Sequence, residues 1–124
     1  MDVFYSFDLP GEVLTIHYTG EPTIEEWTET MEAAMADPRF RPGIRMLLDR
    51  HLVGTPSPEF VRGVAEFVGT HRATLAQIRC AIVVGGPGAY GMARMGQALL
   101  DFHGVTFEIF DTPESAEAWL RDGG

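Results

Sequence analysis

The sequence predicts an α/β domain, a mixed and mainly parallel sheet of four to five strands flanked by helices, in the order β-β-α-β-α-β-α-β-α. Three observations predict it. Residues 44–48 and 78–84 are nearly continuous apolar runs of strand length, as expected of parallel strands covered on both faces. Segments with apolar residues at helical spacing separate and follow them. Helix-start signals recur at Thr23, Ser57-Pro58 and Thr112-Pro113, and strands that alternate with helices build a mainly parallel sheet.

The elements follow in order. Residues 3–7 alternate and are rich in aromatics, which predicts a strand. Pro10-Gly11 signals a turn. Residues 12–18 alternate again, so the first two strands form a hairpin, with His17 as a pleat residue. Thr23 and Glu26 compose a capping box. The helix that follows carries Ile24, Trp27, Met31, Ala34 and Met35 on one face, with Glu25, Glu29 and Glu32 opposite. It stops before Pro38, and residues 37–43 form a rigid connection. The run 44–48 is the central strand and ends in Asp49.

Ser57-Pro58 opens the second helix, with proline at the first position, where its missing N–H costs nothing. Phe60, Val64, Phe67 and Val68 give its buried stripe, and it runs to about Thr70. Residues 78–84 are the strongest strand signal. After the turn Gly85-Gly86-Pro87-Gly88, a helix places Met92, Met95, Leu99 and Phe102 inward and ends near Gly104. Residues 105–110 are the last strand, and the final helix buries Ala116, Trp119 and Leu120.

The chain of 124 residues reads as one domain, 1–124. Its net charge of −9 argues against nucleic acid, which needs a basic patch, and against anionic membrane surfaces. All nine basic residues are arginine. The single cysteine, Cys80, excludes an internal disulfide and reads as buried and inert in a reducing compartment. No segment has the length of an apolar membrane span. The first residues lack a basic stretch before an apolar one, so no secretory signal is expected. The expected location is the cytoplasm.

In open α/β sheets, sites lie in the crevice outside the carboxyl ends of the strands. That rule puts one wall of a site on the loop from Asp49 to Ser57. The other wall is the turn 85–94, where Gly86-Pro87-Gly88-Ala89-Tyr90-Gly91 fits GxGxxG and Asp111 lies 20 residues beyond Gly91. Pro87 removes an N–H that a phosphate cradle would use, so the motif reads as a tight strand-to-helix turn. Asp49, His51 and Ser57 have the residue types of a hydrolytic triad, but three members within nine residues of one loop rarely converge. Arg50 and Arg94 both approach the carboxyl end of the sheet, where a pair of arginines binds carboxylate or phosphate. The four histidines have no metal spacing, and neither a metal nor a cofactor is expected.

Four runs together, Asp37-Pro38-Arg39-Phe40-Arg41-Pro42-Gly43, Met46-Leu47-Leu48-Asp49-Arg50, Tyr90-Gly91-Met92-Ala93-Arg94-Met95 and Ala116-Glu117-Ala118-Trp119-Leu120, carry a resemblance. The chain resembles the STAS-like domains of sulfate transporters and anti-sigma-factor antagonists, and within them the single-domain SpoIIAA-like branch. The resemblance spans about Phe4 to Leu120. It implies a non-enzymatic regulatory or protein-interaction module. Antagonists of that family bind an anti-sigma-type kinase and are switched by phosphorylation at the start of the helix after the central strand. Here Ser57, or else Thr55, occupies that position, although the Asp-Ser-Ser-Gly-like motif is absent and prolines flank Ser57 on both sides.

Two functions follow as expectations. The first is an interaction module whose partner is a protein or a second copy of this chain. Its surface is the loop from Asp49 to Ser57, with Asp49, Arg50 and His51, and the exposed side of the helix after it, because Phe60, Val61, Val64, Phe67 and Val68 exceed one helix stripe. The alternative is a domain that binds a small apolar or anionic molecule, such as a lipid, between the Asp49 loop and the turn 85–94, with Tyr90 and Arg94 as polar contacts.

Overall fold

The computed structural model describes residues 2–8 and 13–122. The elements are β1 (Val3–Asp8), β2 (Val13–Tyr18), α1 (Ile24–Ala36), β3 (Arg45–Asp49), α2 (Pro58–Thr70), α3 (Arg72–Leu75), β4 (Arg79–Val83), α4 (Pro87–Phe102), β5 (Thr106–Phe110) and α5 (Pro113–Asp122). The order is the expected one with the short α3 added, where Leu75 plugs the core. The expected turn at Pro10-Gly11 lies outside the described residues.

The sheet runs β1-β2-β3-β4-β5. β1 is antiparallel to β2, and β2 to β5 are parallel. Successive parallel strands therefore always step the same way. Right-handed crossovers then put every connecting helix on one face, and α1, α2 and α4 share one core there with Leu14, Ile16, Leu48 and Ile82. α5 alone covers the other face, over Val13, Leu47, Ala81 and Val83.

This order has a consequence for function. A binding crevice opens at a topological switch point, where strand order reverses and neighbouring loops diverge to opposite faces. An unreversed sheet has none. The loop after β3 instead folds against the turn before α4. Arg50 N donates to Val83 O at 3.0 Å. A Cβ on Gly85 would lie 2.7 Å from the His51 carbonyl oxygen, and one on Gly88 would lie 2.7 Å from Thr55 Oγ1. Glycine, lacking a Cβ, permits this approach.

The helix starts are as expected. Thr23 and Glu26 form the reciprocal capping box, and Ser57 Oγ accepts the Phe60 N–H at 3.1 Å. Two helix faces differ from expectation. Phe60, Val61, Val64, Phe67 and Val68 do not form an exposed apolar surface, because all are buried or half-buried. α2 is the middle of three helices and buries both flanks, against α1 and α4, leaving Glu59, Arg62 and Glu66 outside. On α4 the buried stripe is Ala89, Ala93, Gly96 and Leu100. Met92, Met95 and Leu99 lie at its margin, and Phe102 is 76% exposed. Small residues let α4 approach α2, since a Cβ on Gly96 would sit 3.6 Å from Val61 Cγ1. The larger apolar residues are displaced to the sides.

Two glycine substitutions separate close approach from mere flexibility. Gly85→Ala drives a methyl into backbone and is expected to cost about 1–3 kcal/mol. Gly91→Ala, in α4 with no atom within 4 Å of the new Cβ, is expected to gain about 0.5–1 kcal/mol. Urea unfolding of the two variants reads both signs; a neutral Gly85→Ala would mean that the loop and turn are not in contact.

Candidate ligand cavity

The site is built from the end of β3. Side chains alternate across a strand, so Met46, Leu48 and Arg50 face the three helices, while Leu47 and Asp49 face the α5 side. Because Arg50 N continues the pairing with Val83 O, its side chain keeps the inward face. That side chain is only 4% exposed. Its Nη2 donates to both carboxylate oxygens of Glu21, at 2.6 Å to Oε2, and to Gly54 O at 3.2 Å. The guanidinium carbon stands 4.7 Å from the Tyr18 ring centre and 5.8 Å from that of Phe60. Nη1 is buried and has no hydrogen-bond partner among the described residues.

Arg50 borders a cavity of about 60 Å³ that is also lined by Leu48, Ile82 and Val84 of the sheet side, Val61 and Val64 of α2, and Ala93 of α4. One water needs roughly 10–15 Å³ of such volume, so the space holds on the order of five water-sized groups. Its walls are almost wholly apolar. Tyr18 also borders it, with its hydroxyl accepting the Trp27 Nε1–H at 2.9 Å. Burial pushes that hydroxyl up to about 12, against the smaller opposing pull of Arg50. Burial likewise pushes the Cys80 thiol up to about 12, which keeps it protonated and unreactive.

The expected site residues do not converge. Asp49 and His51 pair with each other on the α5 side, away from Arg50. Tyr90 is 48% exposed on the first turn of α4 and does not border the cavity. Arg94, also exposed, stands over a separate groove with Gln97 and Asp101. Both lie off the buried stripe, a rotation of roughly 100° per residue around the helix. Arg50 and Arg94 therefore do not form a pair. Nor do Asp49, His51 and Ser57 assemble as a triad: His51 Nδ1 is paired with Asp49 as a triad needs, but Ser57 Oγ accepts the Phe60 N–H and makes no hydrogen bond to His51. Ser57 and Thr55 are exposed at the start of α2. Of the residues expected to meet a ligand, Arg50 reaches the cavity.

Sequence reasoning missed Glu21, Tyr18 and Trp27. Glu21 lies 29 positions from Arg50, with no local pattern linking them. The one signal was Tyr18 and Trp27, aromatics with polar tips at a strand end and on a helix's buried face. A second polar group occupies the part of the sheet that α5 leaves open. His17 Nε2 lies 2.8 Å from Ser6 Oγ, and Thr15 Oγ1 donates to Asp8 Oδ2 at 2.7 Å. His17 is thus a pleat residue, stacked on Phe4 at 4.7 Å. Among the described residues, no group of three or more His, Cys, Asp or Glu is placed to hold a metal ion. No helix among them is long and apolar enough to cross a membrane.

No protein-family model matches the chain, and no curated protein matches it. Among solved structures it is similar to an uncharacterized protein of the DUF3478 family with a SpoIIAA-like fold, from Shewanella loihica PV-4. The two share 20% sequence identity at a TM-score of 0.63, over 95% of this chain and 91% of that one. The fold is therefore SpoIIAA-like, as the sequence resemblance implied. At that identity the likeness extends to the fold alone.

Proposed function

We propose that this SpoIIAA-like domain is a non-enzymatic binding module that holds one small, largely apolar molecule between the sheet, α2 and α4. The observation that carries the reading is an apolar cavity of about 60 Å³ between the sheet, α2 and α4, with the buried Arg50 at its wall. The alternative site, between the Asp49 loop and the turn 85–94, is narrowed by the close approach of the loop to Gly85 and Gly88.

A regulatory role is a second reading, favoured by one observation. Ser57 is exposed at the N-cap of α2, where a phosphate meets free N–H groups and the positive end of the helix. The partner would be an anti-sigma-type kinase or a second copy of this chain, meeting the loop and the polar outer face of α2. Intact-mass spectrometry of protein purified from its own cells tests this reading. One added phosphate mapping to Ser57 supports it, and a clean mass under all growth conditions contradicts it.

The binding reading is tested with benzene, followed by methyl NMR. Saturable shifts at Val61, Val64, Val84 and Met92 are expected, together with their loss in Ala93→Leu, which fills the space. Unsaturable shifts confined to exposed groups such as Leu52 would contradict it.

A further inference from the structure

We infer that this cavity is the outer part of a longer channel, and that its ligand carries an unbranched alkyl chain of about seven carbons. The inference rests on the binding reading and deepens it by naming the ligand's shape and chemistry.

A second cavity, of about 30 Å³, lies deeper in the same core. Trp27, Leu48, Val64 and Leu100 line both spaces, so the two meet at one waist. On the β4 side the outer space is lined by Ile82 and Val84, and the inner one by Ile78 and Cys80. These walls are offset by four residues of strand, roughly 13 Å at about 3.3 Å per residue. The spaces therefore lie one behind the other along the strands. One water needs roughly 10–15 Å³ of such volume, so together they hold on the order of seven groups the size of a methylene.

The waist decides which shape can use both spaces. Trp27 is its fixed side: the indole N–H donates to the Tyr18 hydroxyl at 2.9 Å, and the Phe60 and Phe67 rings meet the indole edge-on. Leu48, Val64 and Leu100 are aliphatic and move only between rotamers. Such a change opens room for a chain one methylene wide, whereas a ring would have to displace Trp27. Beyond the waist stand Met31 and Met46, whose thioether chains reshape at little cost. Among the described residues, no charged side chain lines the inner space, and its indole N–H is already satisfied by Tyr18. The inner end therefore takes hydrocarbon.

The test is a methyl NMR titration of the whole chain with benzene, n-butane and n-hexane, read by intermolecular NOEs. Benzene and butane are expected to contact Val61 and Val84 of the outer space alone. Hexane is expected to contact these and also Met31, Met46 and Val68 beyond the waist, with one dissociation constant. Each buried methylene gains about fourfold in affinity, so hexane is expected to bind at least about tenfold more tightly than butane. Val68→Ile, which adds one methyl to the inner space, is expected to weaken hexane about fourfold and leave benzene unchanged. Hexane contacts confined to the outer methyls, with benzene still entering, overturn the inference and leave the cavity reading in place. Failure of benzene, butane and hexane alike overturns both.

Discussion

The ion pair between Glu21 and Arg50 governs how the carboxyl end of this sheet is built. Arg50 follows Met46 and Leu48 on the alternating face of β3 that points to the helices, so its guanidinium is committed to the interior. An unpaired charge there would be prohibitive. Glu21, on the connection between β2 and α1, reaches it from a position 41% exposed. Gly54 O fixes the loop to the same nitrogen. Strand end, loop and the start of the first crossover are thereby tied at one point, above an aromatic floor of Tyr18, Trp27 and Phe60. A hydrophobic residue at position 50 would pack more simply. The arginine instead ties Glu21 and the loop carbonyl of Gly54 to the strand end.

Strand order sets the setting for that ion pair. Five strands in sequence order, with parallel crossovers of one hand, collect three helices on one face and leave no diverging loops. The end of the sheet is narrowed by the close approach of the loop to Gly85 and Gly88. The apolar cavity lies instead at the seam between α2 and α4. The small residues Ala93 and Gly96 of α4 set the width of that seam. The face under α5 is different in kind. Among the described residues α5 packs on Val13 but not on the rest of the β1–β2 hairpin, where Ser6, Asp8, Thr15 and His17 satisfy one another.

Much of the fold was legible because its signals are local. The capping box at Thr23, Ser57 before Pro58, and the apolar runs at Leu47 and Ile82 each depend on a few neighbouring residues. The faces of α2 and α4 were less so. Apolar size suggested Phe102 as inward, whereas close helix packing selected Ala93 and Gly96. The site was least legible. Asp49 and Arg50 were correctly placed at the end of the central strand, but alternation sends their side chains to opposite faces. Tyr90 and Arg94 are near the cavity in sequence and turned from it by helix geometry. The Glu21–Arg50 pair is a long-range contact, set by the packing of the first crossover, which no spacing rule encodes.

The central claim is that an apolar cavity bordered by a buried arginine exists between the sheet, α2 and α4. A crystal structure determined under xenon pressure tests it most directly, since xenon enters dry apolar cavities. The account predicts xenon density between Leu48, Val61 and Ala93, with Arg50 Nη2 on Glu21. A cavity filled by Phe60 or Met92, or an Arg50 side chain extended into solvent, would contradict it.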